Sequence, residues 1–205
     1  MKSKPLLFFA GILFLALSLC YGFCYAENNA LSIPAQFPDL IFDNLFSKKE
    51  QAYLGIENKR TFSFNNIESP FLLVDLTNTY CVSCKKNIKI FNEVYKKTQA
   101  DKEFKEKIKV IGIAIGNNER EVDYFRNEHK ILYPIIIDPE FTVHKALGEP
   151  RVPYTMFIRR DAQGKYIVVN THRGKYDSAD ELMNDIRNCL FCDTNTSSCV
   201  IKGTD

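Results

Sequence analysis

Charge of neither sign is in excess in this 205-residue chain, where 27 Lys and Arg stand against 25 Asp and Glu. The basic pairs Lys48-Lys49, Lys85-Lys86 and Lys96-Lys97 are scattered and form no run. That excludes the concentrated basic face that nucleic acid requires. Histidine is scarce: His129, His144 and His172 stand far apart and carry no ligand spacing. Each reads as a structural or surface residue, and no metal is expected. Tryptophan is missing altogether, and there is no internal repeat and no long linker. What remains is ordinary for a soluble domain, with 45% apolar and 25% charged residues. Collagen, coiled coil and wholesale disorder do not fit this composition. The length suits one domain plus extras.

The first 26 residues stand apart. Lys2 and Lys4 give a positive start, Pro5 to Leu19 is almost wholly apolar, and Cys24-Tyr25-Ala26 offers small residues for cleavage after Ala26. This is the layout of a secretory signal peptide, with an uncleaved membrane anchor as the alternative. Lipid modification at Cys20 fits poorly, because the bulky Leu19 precedes it. Removing the segment leaves 25 basic and 25 acidic side chains. An export signal combined with cysteine pairs fits an oxidising, extracytoplasmic compartment such as a periplasm.

Residues 27–60 read as an N-terminal extension, with Pro34 and Pro38 breaking any early helix and a short helix at Ser47 to Leu54. From Thr61 the pattern sharpens. Thr61 to Phe64 alternates like a strand, and Phe71 to Leu76 is a continuous apolar run interrupted by Asp75. A helix is predicted over Val82 to Thr98, with Ile88, Phe91, Val94 and Tyr95 on its buried face. Further strands are predicted at Lys109 to Ala114, Tyr133 to Ile137, Tyr154 to Ile158 and Tyr166 to Val169. Helices are predicted at Glu119 to His129, Phe141 to Leu147 and Ser178 to Cys189, the last capped by Ser178 or Asp180. Strands alternating with helices, closed by a hairpin, imply an α/β sheet of mixed direction over residues 61–188. Residues 189–205 form a cysteine-containing tail.

Cys81-Val82-Ser83-Cys84 falls where a buried strand ends and a helix begins. Helix N-termini present unpaired N–H groups and a positive dipole end, and both stabilise a thiolate. Cys81, at the helix start, is then the attacking sulfur, and Cys84, one turn further in, resolves the mixed disulfide. Asp75 lies six residues before Cys81 within the apolar strand. A buried carboxylate is costly unless it has a role or a partner. It reads either as a raised-pKa acceptor of the Cys84 proton or as a structural carboxylate.

The segment FLLVDLTNTYCVSC, Phe71 to Cys84, resembles the active-site strand and loop of thioredoxins. Across roughly Phe37 to Asn188 the chain is similar to the TlpA/ResA-type branch of extracytoplasmic thiol–disulfide oxidoreductases. That resemblance implies a thioredoxin-like fold, a central mixed sheet flanked by helices, with a strand–helix insertion after the first active-site helix. It implies a redox-active CxxC pair working on protein thiols and disulfides, more as a reductase than an oxidase, without a cofactor and with a membrane thiol-electron donor. It also implies that Pro153 in Val152-Pro153-Tyr154-Thr155 is the family's cis-proline and that Val152 pairs with substrate backbone as an added strand. Tyr80 stands where the family usually has Trp and joins Val152 and Pro153 in the substrate-facing set. Asn87 stands where many relatives have Glu, so no carboxylate acts there and more weight falls on Asp75.

Cys189-Leu190-Phe191-Cys192 is a second CxxC, followed by Cys199. These three cysteines are read as a structural clip, with a second redox pair and a metal site as alternatives. Three thiols alone are one ligand short of a closed zinc site, and Asp193 in place of His excludes a haem attachment motif. Two competing functions fit the motif less well. Thiol peroxidases of the peroxiredoxin type place Pro seven and Thr or Ser three residues before the reactive cysteine, where this chain has Val74 and Asn78. Copper-binding thioredoxin-like modules use CxxxC with a remote His, one residue longer than the spacing here.

Overall fold

The structure, a computed structural model, describes residues 33–43 and 45–191. The predicted signal segment, Cys192 and Cys199 lie outside the described residues. Six strands form one sheet: β1 (Ala35–Gln36), β4 (Phe71–Thr77), β5 (Ile108–Ile115), β6 (Ile135–Asp138), β7 (Tyr154–Arg160) and β8 (Tyr166–Arg173). Their spatial order is β1-β8-β7-β4-β5-β6. β4, β5 and β6 run parallel, while β7, β8 and β1 are antiparallel to their neighbours. A two-stranded ribbon pairs β2 (Phe42–Asp43) with β3 (Thr61–Phe62). The helices are α1 (Lys48–Leu54), α2 (Val82–Ala100), α3 (Lys102–Lys107), α4 (Glu119–His129), α5 (Thr142–Ala146) and α6 (Ala179–Phe191). This is the mixed sheet flanked by helices expected of a thioredoxin-like fold.

β4 is central, and all seven of its residues are buried. That is why its sequence is a continuous apolar run rather than an alternation. Its side chains still divide between two cores. Leu72, Val74 and Leu76 face one, with Ile111, Ile113, Met156 and Ile158. Phe71 and Leu73 face the other, with Phe91 and Val94 of α2 and Leu182 and Ile186 of α6.

Three local features differ from the sequence expectation. The strand at Thr61 stops at Phe62, because Ser63 donates its N–H to Asn66 Oδ1 and the chain turns into a 3-10 segment at Phe64–Asn66. α2 is followed at once by α3, since Asp101 ends the first helix and its Oδ1 accepts from the N–H groups of Glu103 and Phe104. The described part of the N-terminal extension is built into the fold: Phe37, Phe42, Phe46, Leu54 and Ile56 sit in the first core. Neither β1 nor β2 was visible locally, as two residues show no period. At the other end, Ser178 Oγ accepts from Glu181 N–H and caps α6.

The end of the sheet remote from the cysteines is tied by Arg160. Its guanidinium donates to the carbonyls of Asn65, Ile67, Ser69 and Gly164 and lies over the Tyr166 ring. Arg160→Ala should lower unfolding free energy by about 3 kcal/mol, because it leaves several carbonyls without their charged donor. Chemical denaturation of the oxidised protein measures this.

Candidate active site

Cys81 and Cys84 form a disulfide, with Cα atoms 5.2 Å apart, at the start of α2. Cys81 is the N-cap residue, and its Sγ accepts the backbone N–H of Cys84 at 3.2 Å. Ser83 Oγ lies 3.3 Å from the same sulfur. Cys81 is half-buried, whereas Cys84 is 1% exposed. The pair is thus unequal: one accessible sulfur where N–H groups and the helix dipole favour a thiolate, one sulfur sealed beneath it.

The Val152–Pro153 peptide is cis and brings the Val152 carbonyl oxygen to 3.9 Å from Cys81 Sγ. Val152 lies just outside β7, and with Tyr80, Phe141 and His144 it borders an open groove beside Cys81. Tyr80 is 71% exposed, and its hydroxyl donates to Glu121 Oε1 at 2.5 Å. Glu121 also accepts from Asn117 Nδ2, and Asn117 exchanges hydrogen bonds with Thr79. Asn78 donates to the Ile115 carbonyl and accepts the Tyr80 N–H. The loop carrying Cys81 is therefore clamped to the end of β5 and the first turn of α4. Sequence reasoning missed Asn117 and Glu121. The only signal was a cap-like Asn118 with Glu three residues on.

Asp75 is completely buried in β4. Its Oδ1 accepts from Asn87 Nδ2 at 3.3 Å, and Asn87 Oδ1 accepts the Tyr176 N–H at 3.0 Å. Asn87 lies one turn beyond Cys84 on the buried face of α2, which places Asp75 under the first turns of the active-site helix. Burial pushes the carboxyl up to about 8, against the opposing pull of Asn87 and Tyr133. Oδ2 has no hydrogen-bond partner among the described residues. On β5 the residue opposite Asp75 is Gly112, where a Cβ would lie 3.2 Å from the Tyr133 ring. The missing side chain makes room for Tyr133 to approach the carboxyl. Asn87, seen in the sequence only as a missing Glu, is the amide that holds Asp75.

Cys189 is buried in α6, its thiol near Asn170 Nδ2 at 3.8 Å and pushed up to about 12 by burial. That suppresses its thiolate. Its pairing with Cys192 or Cys199 lies outside the described residues. Among the described residues no three His, Cys, Asp or Glu side chains come together as a metal site.

The sequence pattern of the AhpC/TSA family matches residues 47–167. The chain belongs to the AhpC/TSA family. Within it, the chain is 22% identical over 176 residues to the thiol-disulfide oxidoreductase ResA of Geobacillus thermodenitrificans, covering 83% of this chain and 91% of that one. It is 25% identical to ResA of Bacillus anthracis, over 80% of this chain and 87% of the relative. Among solved structures, StoA of Bacillus subtilis superposes with a TM-score of 0.51 at 16% identity, over 72% of this chain and 97% of that chain. A thioredoxin-like protein of Porphyromonas gingivalis gives 0.53 at 22% identity, over 77% and 93%. These neighbours establish the thioredoxin-like fold. With the Cys81–Cys84 disulfide in place on that fold, this member of the family is a thiol–disulfide oxidoreductase.

Proposed function

We propose that the protein reduces protein disulfides outside the cytoplasm, with Cys81 as nucleophile, Cys84 as resolving thiol and Asp75 as proton acceptor. The observation that carries this reading is the inequality of the pair: Cys81 is reachable at the helix cap, and Cys84 is sealed 1% exposed below it.

In the reduced protein the Cys81 thiolate attacks a partner disulfide and forms a mixed disulfide, and one partner sulfur leaves. Cys84 then gives its proton to Asp75 and attacks Cys81 Sγ. The second partner sulfur leaves as thiolate and the intramolecular disulfide closes. Asp75 serves as base in this direction and as acid when the protein is itself reduced. The groove beside Cys81 and the Val152 backbone suit an extended peptide segment added against the cis-proline, with Tyr80 on its flank. Electrons would return from a thiol donor at the membrane. The signal-like residues 1–26 support the extracytoplasmic site, whether cleaved or kept as an anchor.

Cys84→Ser should hold Cys81 in a stable mixed disulfide with its substrate, identifiable by mass spectrometry after non-reducing purification. Absence of any Cys81-linked protein from cells would sink the proposal. A peroxidase reading has less support: Asn78, three residues before Cys81, is committed to Ile115 and Tyr80, and Val74 lies inside β4.

A further inference from the structure

Asp75 is sealed, and burial leaves a proton on its carboxyl at neutral pH. That resting proton must reach solvent before Asp75 can accept the one on Cys84. Toward β5 and β6 the carboxyl meets the Tyr133 hydroxyl across Gly112, and Tyr133 is itself sealed at 1% exposed. Toward β7 and β8 the register places a row of polar side chains. Asp75 stands opposite Thr155, and Thr155 stands opposite His172. Directly opposed residues point to the same sheet face. That this is the α2 face is confirmed at both ends: Asp75 binds Asn87 of α2, and the His172 ring stacks at 3.9 Å on Tyr176, whose N–H binds the same Asn87.

Each member of the row has a buried polar atom that no described protein group satisfies: Asp75 Oδ2, Thr155 Oγ1 and His172 Nε2. Asp75 and Thr155 are both fully buried. Three such orphans are expensive unless they are bridged. Opposed Cβ atoms on neighbouring strands lie about 5 Å apart, and one water making two hydrogen bonds of about 2.8 Å spans about the same distance. His172 itself is only half-buried, and it interacts electrostatically with Asp177 and Asp185, with Glu181 acting on Asp185 and Lys175 paired to Asp177. The row therefore runs from a sealed carboxyl to an imidazole at the rim, with negative charge beyond it.

We propose that Thr155 and His172 are positioning residues that hold a water-bridged proton route from Asp75 to solvent. The inference rests on Asp75 being the proton acceptor of Cys84. In the closing step the Cys84 S–H bond breaks and its electrons form the Cys84–Cys81 bond. The Cys81–partner bond breaks, the partner leaves as thiolate, and the proton rests on Asp75. There it stays until the protein is reduced and Cys84 takes it back. The route works before closing: the resting proton of Asp75 passes through the Thr155 hydroxyl to His172 Nε2, and the imidazole releases one proton to solvent, leaving the carboxylate free to accept. No further oxidant or reductant is needed.

The experiment is single-turnover reaction of the reduced full-length protein with a small disulfide, stopped by acid and alkylated, in H2O and D2O across pH 5 to 9. Asp75→Asn, Thr155→Val, Thr155→Ser and His172→Gln are compared after thermal unfolding has shown each to be folded. Thr155→Val and His172→Gln should each slow the closing of the disulfide roughly tenfold, a part of the general acid–base contribution, and enlarge the solvent isotope effect. Thr155→Ser should restore the rate, and the Val/Gln double variant should be no slower than the slower single one. The rate of Cys81 alkylation in the reduced protein should not change. If Asp75→Asn is slow but either Thr155→Val or His172→Gln stays within twofold of wild type, or Thr155→Ser is as slow as Thr155→Val, the route is overturned and the role of Asp75 stands. If Asp75→Asn is as fast as wild type, the acceptor role falls and the route falls with it.

Discussion

Asp75→Asn should make the protein more stable and less active at once. The carboxyl is raised from 3.8 to about 8, chiefly by burial. Between those values the folded protein holds a proton that the unfolded chain does not, so stability falls as pH rises from about 4 to about 8 and then levels off. Asn stays neutral, keeps the shape and removes that slope. A shift of about four pKa units corresponds to roughly 5 kcal/mol. The Asn amide would still need a partner where Oδ2 now has none, which reduces the expected gain at pH 8 to on the order of 3 kcal/mol. For a domain of this size that raises the thermal midpoint by roughly 10 °C. At pH 5 the gain should be much smaller. Equal midpoint shifts at pH 5 and pH 8 would show that the carboxyl does not carry the penalty. The same variant should slow resolution of the mixed disulfide about a hundredfold, the usual reach of a positioned proton acceptor. Such opposite signs are expected where a buried charge is retained for chemistry rather than for the fold.

Cys81→Ser should reduce disulfide exchange to the level of the buffer thiol alone, whereas Cys84→Ser should still complete the first attack. The two sulfurs differ in access and in electrostatics. Cys81 sits at the N-cap with the Cys84 N–H aimed at its sulfur, while Cys84 is 1% exposed. In the reduced protein, iodoacetamide should therefore modify Cys81 well before Cys84. Peptide mapping after timed alkylation checks this. Equal labelling of the two cysteines, or exchange surviving in Cys81→Ser, would remove the assignment of Cys81 as nucleophile.

The sequence by itself determined the parts of this protein that depend on neighbours along the chain. The apolar run Phe71 to Leu76, the helical spacing of Ile88, Phe91 and Val94, and the cysteine pair between them place a CxxC at a strand-to-helix junction. Helix α4 matches its predicted bounds, Glu119–His129. Val152-Pro153 was legible through its motif. Short-range periodicity and turn chemistry carry all of this information.

What only the tertiary structure decided is who stands opposite whom. Asn87 meets Asp75 across 12 positions and Tyr176 across 89. Glu121 meets Tyr80 across 41. Thr155 and His172 share a row with Asp75 only because three strands pair in one register. A slip of one residue would turn those side chains to the other face, and no local pattern encodes that choice. Thus His172, which reads as an ordinary structural or surface residue in the sequence, stands in the row that holds Asp75. The sequence places Asp75 near the cysteines, and the fold supplies its amide, its tyrosine and the polar row beside it.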